Sequence, residues 1–152
     1  NALPLPLPIG QALSLVRDTA QALSLVHAHN IVHRDIKPAN LFCTRTGTGV
    51  VGDFGVARLK DSTTAMAAIA GSPGYMAPEA FVGKAGPASD LWSLGVMLYE
   101  LTTGTVPFLG PDSEAIRQMH VSEPAPLISD RVPSGFDARP VIDEATARAT
   151  AL

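Results

Sequence analysis

His33-Arg34-Asp35-Ile36-Lys37-Pro38-Ala39-Asn40 is the stretch on which the reading of this chain turns. It sets a carboxylate, an ammonium and a carboxamide close together in a loop. Ile31 and Val32, a short β-prone pair, lead into it. A second acid follows in Asp53-Phe54-Gly55 and a third marker in Ala77-Pro78-Glu79. Any one of these residues is ordinary in a turn, where Asp and Asn are common. The set, in this order, asks for a chemical explanation.

The elements around the stretch follow from hydrophobic spacing. Upstream, Leu13, Val16, Ala20, Leu23 and Val26 or His27 recur at helical spacing and predict a helix over 11–28, with Asn30 suited to its end. His27 and His29 read as packing or solvent-facing residues at that terminus. Downstream, 41–44 and 50–51 read as two short strands joined by a Thr/Gly turn. Such a hairpin returns Asp53 to the neighbourhood of Asn40. Residues 56–76 are small and polar with no sustained period and read as a long loop, of the kind that in compact domains is usually functional. A short helix is expected over 78–82. The strongest helix signal is 88–103, opened by Pro87 or Ser89 and closed by Gly104. It is apolar nearly all round, which predicts burial on every side. Asp90 in its first turn is then a buried acid that must be hydrogen-bonded, and the backbone amides of the 33–40 loop are ready donors. A further helix is expected over 113–120, capped by Asp112 or Ser113. Residues 122–135 read as irregular and 136–151 as weakly helical.

Composition narrows the classes. The 152 residues suffice for one domain with a core, and 46% hydrophobic content argues for a folded chain. A net charge of -3 gives no electrostatic case for nucleic acid or for an anionic membrane surface. The single cysteine, Cys43, rules out an internal disulfide and reads as a small strand hydrophobe, so a reducing, cytoplasmic setting is the simpler expectation. No apolar run approaches the roughly 20 residues of a membrane span, so no membrane anchor is expected within this chain. The chain starts without Met, and alternating prolines make its first eight residues an extended lead-in rather than a signal peptide.

The constellation resembles the eukaryotic-type Ser/Thr protein kinases, especially their bacterial members, over about residues 10–121. The resemblance implies an α+β, protein-kinase-like fold: a mostly helical C-terminal lobe with a small β-hairpin and no N-terminal lobe. Residues 1–9 would be a Pro-rich lead-in from the hinge side, and 10–152 the lobe, cut short at its C-terminal end. The activity implied is ATP-dependent phosphoryl transfer to Ser/Thr hydroxyls of proteins, with ATP and Mg²⁺ as cofactors. On this likeness Asp35 is the base that orients the acceptor hydroxyl, Lys37 reaches the transferring phosphate, and Asn40 and Asp53 are oxygen ligands for Mg²⁺. Phe42 stands at the apolar floor of the adenine site, where leucine is more usual. Ser72 corresponds to a hydroxyl residue touching Asp35 and Lys37. Ser72 and Glu79 belong to the substrate platform, and Glu79 would pair with an arginine further on. Arg34 would bind a phosphate on the activation loop, with Thr63 or Thr64 as the modified residue; both equally suit a solvent-facing loop. His33, Phe54, Gly55 and Asp90 are structural, Phe54 lying beside His33.

The same likeness shows what is lacking. No glycine-rich phosphate loop, strand lysine or partner glutamate precedes residue 10. The chain by itself is therefore expected to transfer little phosphate. A truncated pseudokinase acting as a scaffold is the alternative, although retention of Asp35, Lys37, Asn40 and Asp53 speaks against it. A small-molecule phosphotransferase is a third reading. The long stretch ending in 71–79 favours protein substrates instead. The apolar face around Phe54 and Leu41 suggests self-association, as does autophosphorylation. The whole protein is expected in the cytoplasm or as the cytoplasmic part of a membrane-anchored protein.

Overall fold

The computed structural model describes residues 4–44, 48–54, 58–59 and 71–131. Among the described residues three α-helices carry the fold: α1 (Ile9–Ala28), α2 (Pro87–Thr103) and α3 (Ser113–Ser122). Two small antiparallel sheets sit beside them. Strand β1 (Ile31–Val32) pairs with β4 (Arg58–Leu59), with Ile31 opposite Leu59. Strand β2 (Leu41–Cys43) pairs with β3 (Gly49–Val51), with Leu41 opposite Val51. The expected hairpin is therefore present, with its second strand one residue longer at Gly49. Strand β4 corrects the reading of 56–76 as a featureless loop. Two residues are too few to show a period, and their partner, β1, lies far away in sequence. The helix expected over 78–82 is a single 3-10 turn, Ala80–Val82, closed by Gly83 in the left-handed region (φ 75°).

Helix α1 turns Ala12, Leu15, Thr19 and Leu23 inward. In its first half this stripe lies one residue earlier than the sequence spacing suggested; Leu13 is only half-buried. Thr19 is tolerated inside because its hydroxyl donates to the Leu15 carbonyl at 2.8 Å. Asp18, next to it, accepts the Gly49 N–H at 2.9 Å and ties the hairpin to the helix. Against α1 pack Leu94, Met97 and Leu101 of α2, together with Ile36 and Leu41. The lead-in joins the same core: Leu7 is 5% exposed, and its N–H donates to the Leu101 carbonyl at 2.7 Å.

Helix α2 begins as its sequence promised. Pro87 occupies the first turn, and the Ser89 hydroxyl accepts the Gly86 N–H at 3.0 Å. It ends at Gly104, whose φ of 84° suits glycine. Burial on every side is not what the structure shows. Asp90, Ser93, Met97 and Leu101 face inward, but Leu91 is 55% and Trp92 39% exposed. An apolar composition does not fix which neighbours exist, and the described residues cover this second stripe only in part: Trp92 meets the His120 ring at 5.7 Å between centroids, while Leu91 stays more than half exposed. The stripe borders an open cavity of about 300 Å³ lined also by Gly95, Pro107, Phe108 and Ala125. The apolar face expected around Phe54 and Leu41 needs a similar correction. Leu41 is buried in the core, and the exposed residues are Phe42, Val50 and Phe54. Among the described residues no helix is long and apolar enough to cross a membrane.

Candidate active site

The 33–40 loop leaves β1 and is held from below by Asp90. Asp90 is fully buried. Its Oδ2 accepts the His33 N–H at 2.9 Å, and its Oδ1 accepts the Arg34 N–H at 2.8 Å. A carboxylate buried on a helix needs donors, and a loop with unpaired amides needs an acceptor; each meets the other's requirement. A third donor is His27, whose Nε2 lies 2.8 Å from Asp90 Oδ2. From the sequence His27 is expected to pack or to face solvent at the helix end, and this bond goes beyond both. Counting lone pairs on an isolated buried acid would have shown that two amides left room for another donor.

His33 is also fully buried. Its Nδ1 accepts the Asp35 N–H at 3.3 Å, which leaves Nε2 as donor to the Gly52 carbonyl at 3.1 Å. The ring thus links the loop to the end of the hairpin, and Phe54 packs against it at 4.7 Å between centroids, the two rings tilted by 58°. Arg34 has φ 72°, a left-handed conformation uncommon for a side-chain residue. That bend turns Asp35 out of the anchored segment and into the cleft.

At Asp35 four donors converge. Ser72 gives its N–H to Oδ1 at 3.1 Å and its hydroxyl to the same oxygen at 3.0 Å. The Lys37 ammonium lies 2.7 Å from Oδ2, and the Asn40 amide donates to that oxygen at 3.0 Å. Lys37 also donates to the Ser72 hydroxyl at 2.8 Å. Burial pushes the Asp35 carboxyl up, but the hydrogen bonds from Lys37, Ser72 and Asn40 outweigh it and hold the group below the usual carboxylate range. At neutral pH the site holds an ionised carboxylate with its lone pairs engaged.

Asn40 closes the loop in the single turn Pro38–Asn40. Its amide nitrogen faces two oxygens, the Asp35 carbonyl at 2.8 Å and Asp35 Oδ2. Both amide hydrogens are thereby used, which leaves Oδ1 as the atom free to ligate a cation. The hairpin brings Asp53 back as expected: the Gly52 N–H donates to the Asn40 carbonyl at 2.9 Å, and Asp53 follows at φ 57° with an exposed side chain. One amide oxygen and one carboxylate are hard donors, the kind that suits Mg²⁺ retaining most of its waters. Phe42 is 57% exposed on the same side. Its ring occupies the space beside Gly52, where a Cβ would come within 2.6 Å of it.

Glu79 and the turn before it are fixed from α2. The Ser89 hydroxyl donates to Glu79 at 2.6 Å, and the Ser93 hydroxyl donates to the Tyr75 carbonyl at 2.7 Å. The Tyr75 hydroxyl donates to Glu100. Burial, then the Glu100 carboxylate, push that phenol far above its ordinary pKa, so it remains a donor. The structure thus brings Asp35, Lys37, Asn40 and Ser72 into one hydrogen-bonded cluster, with Asp53, Phe42 and Phe54 on the hairpin beside it. Glu79 and Asp90 support it from outside. Gly55, Thr63 and Thr64 lie outside the described residues. Tyr75 and Glu100 were missed in the sequence, which offers no sign that this pair meets.

The protein kinase domain family matches residues 5–143. Among curated proteins the chain is 43% identical over 122 residues to the serine/threonine-protein kinase PknB of Mycobacterium leprae, covering 78% of this chain and 20% of that protein. It is 38% identical over 130 residues to PknA of Mycobacterium tuberculosis, covering 84% of this chain and 30% of that one. It is 37% identical over 147 residues to the DNA damage-responsive kinase RqkA of Deinococcus radiodurans, covering 94% and 21%. The chain therefore spans between 20% and 30% of the length of these relatives.

Proposed function

The chain belongs to the protein kinase domain family, and from that premise we propose that the whole protein transfers the terminal phosphoryl group of ATP to Ser/Thr hydroxyls of proteins. The observation that carries this reading is the cluster at Asp35. An ionised carboxylate held by a lysine, a serine and an asparagine can orient a hydroxyl and receive its proton. Its lone pairs are already engaged, so an acceptor hydroxyl must replace one donor. Ser72 is the donor placed to yield, because its hydroxyl can turn to the incoming oxygen while its N–H keeps Oδ1 in place. Lys37 bridges Asp35 and Ser72 and brings a positive charge to the point where phosphate charge would collect.

ATP would lie against the hairpin, with Phe42 under the base. Asn40 Oδ1 and the Asp53 carboxylate would hold Mg²⁺. When bound, that ion neutralises phosphate oxygens and fixes the donor nucleotide in line with the acceptor. The rest falls to positioning. Asp90 fixes the loop, His33 fixes the loop to the hairpin, and α2 fixes the turn that carries Ser72.

The 152 residues contain no glycine-rich loop or strand lysine to grip the phosphates, so the chain alone should transfer little. The test is to join it to the upper lobe of the Mycobacterium tuberculosis relative. The chimera and the bare chain are then compared with labelled ATP, Mg²⁺ and a generic protein acceptor. The expected outcome is label on Ser/Thr from the chimera and little from the bare chain. No label from a folded chimera would overturn the activity, and vigorous transfer by the bare chain would overturn the division of labour.

A further inference from the structure

The two faces of the β2–β3 hairpin have different fates. Leu41 and Val51 stand opposite each other on one face, in or against the core. Phe42 and Val50 stand opposite each other on the other face, 57% and 46% exposed. The Phe42 ring also reaches its diagonal neighbour, Gly52. A Cβ added at Gly52 would stand 2.6 Å from the ring's Cε2 and 3.0 Å from its Cδ2.

Gly52 is not glycine for the sake of its backbone angle. Gly71, Gly83 and Gly104 have positive φ, and Gly52 does not. Space is what glycine supplies here. The Gly52 backbone is held on both sides: its N–H donates to the Asn40 carbonyl at 2.9 Å, and its carbonyl accepts from His33 Nε2 at 3.1 Å. A backbone pinned in this way cannot retreat from a new side chain. The exposed ring of Phe42 can, and would turn aside at small cost. The missing side chain at 52 therefore decides where the Phe42 ring stands.

That place is next to the oxygen ligands. Asp53 follows Gly52, and Asn40 lies two residues before Phe42. Phe42, Val50 and Gly52 carry no polar side-chain atom between them. Such a surface can hold a flat ring by its face and has no side-chain group to read the ring's edge. Every base has a π face, and a purine has the larger one, whereas adenine and guanine differ at their edges.

We propose that Phe42 and Gly52 form one base-reading element, in which the bare Gly52 positions the Phe42 ring beside the cation ligands, and that it selects purines by stacking without distinguishing adenine from guanine. The inference rests on the reading of this side as the nucleotide site, but its test requires no transfer.

The test is titration of the 152-residue chain with MgATP, MgGTP and MgUTP, each up to about 10 mM, read from the ring resonances of Phe42 by NMR. Both purine nucleotides should shift these resonances upfield, with affinities within about threefold of each other, and MgUTP should bind more weakly than either. Phe42→Ala should weaken purine binding at least about fivefold, read from the nucleotide's own base protons. Gly52→Ala should weaken it by a comparable factor while amides in α1 stay unchanged. Added to Phe42→Ala, Gly52→Ala should cost nothing more, because the ring it displaces is gone. Unchanged affinity in Gly52→Ala overturns the proposal. So does a preference beyond about tenfold between MgATP and MgGTP, MgUTP binding as tightly as either, or no shift at Phe42 with any of the three. If Gly52→Ala fails to fold, the wild-type comparison of the three nucleotides decides. A purine nucleotide that stacks on Phe42 while the folded chimera transfers nothing would uphold this element and overturn only the activity.

Discussion

Asp35 shows how much a single carboxylate depends on its neighbours. Lys37, Ser72 and Asn40 hold its pKa below the ordinary value against the opposing effect of burial. A carboxyl depressed in the fold lends stability above its unfolded pKa of about 3.9, and that contribution disappears as pH falls through the lower folded value. Urea unfolding of the chain between about pH 2 and pH 5 should therefore show a loss of stability toward acid that is shallower in Asp35→Asn. Parallel curves for the two proteins would show that the cluster does not bind the charge. Asp90 should matter more to folding. It satisfies two backbone amides and His27 in full burial, so Asp90→Ala strands three donors at once. The expected cost is about 3–5 kcal/mol in chemical denaturation; a loss under about 1 kcal/mol would mean that water or another acceptor takes its place. The two residues were not equally legible. Asp90's need for loop amides followed from its place in an apolar helix. His27's share in it did not, because a histidine at a helix end has many possible uses.

At the scale of elements, legibility followed length and punctuation. Helix α2, with Pro87 in its first turn and Gly104 just after it, starts one residue before the expected 88 and ends at the expected 103. Helix α3 starts at Ser113 as expected and runs two residues further, to Ser122; of the two caps the sequence allows, Asp112 or Ser113, the structure uses Asp112, which accepts the Ala115 N–H at 2.8 Å. Strand β4 was invisible, since only its pairing with β1 makes it a strand. The inward face of α2 was not legible either, because a helix apolar all round carries no signal of which stripe finds partners. The stop signal can be tested directly. Gly104 adopts φ 84° and its N–H closes the helix on the Glu100 carbonyl at 2.8 Å. Gly104→Ala forces a side chain into the left-handed region and should cost about 1–2 kcal/mol in thermal or urea unfolding. An unchanged or higher stability would show that this turn relaxes freely.

Over the whole molecule, the site is assembled from parts that are remote in sequence. Helix α1 gives His27, the loop after β1 gives Asp35 and Lys37, the hairpin gives Asp53, and α2 anchors both the loop and the Ser72 turn. The motifs announced which residues belong together. The bonds that hold them there, such as Ser72 to Asp35 and Tyr75 to Glu100, depend on packing that spacing alone does not encode. Under the proposed function, the exposed residues Phe42, Val50 and Phe54 mark the side on which ATP would lie, with Asn40 and Asp53 as the groups that would hold Mg²⁺. The central claim is that Asp35 is the base of this site. It is tested most directly by the rate of phosphate transfer from ATP to a protein acceptor, in the lobe-restored chimera, for wild type against Asp35→Asn. The account predicts a loss of at least about 100-fold at unchanged fold, the usual cost of removing a general base; equal rates would contradict it.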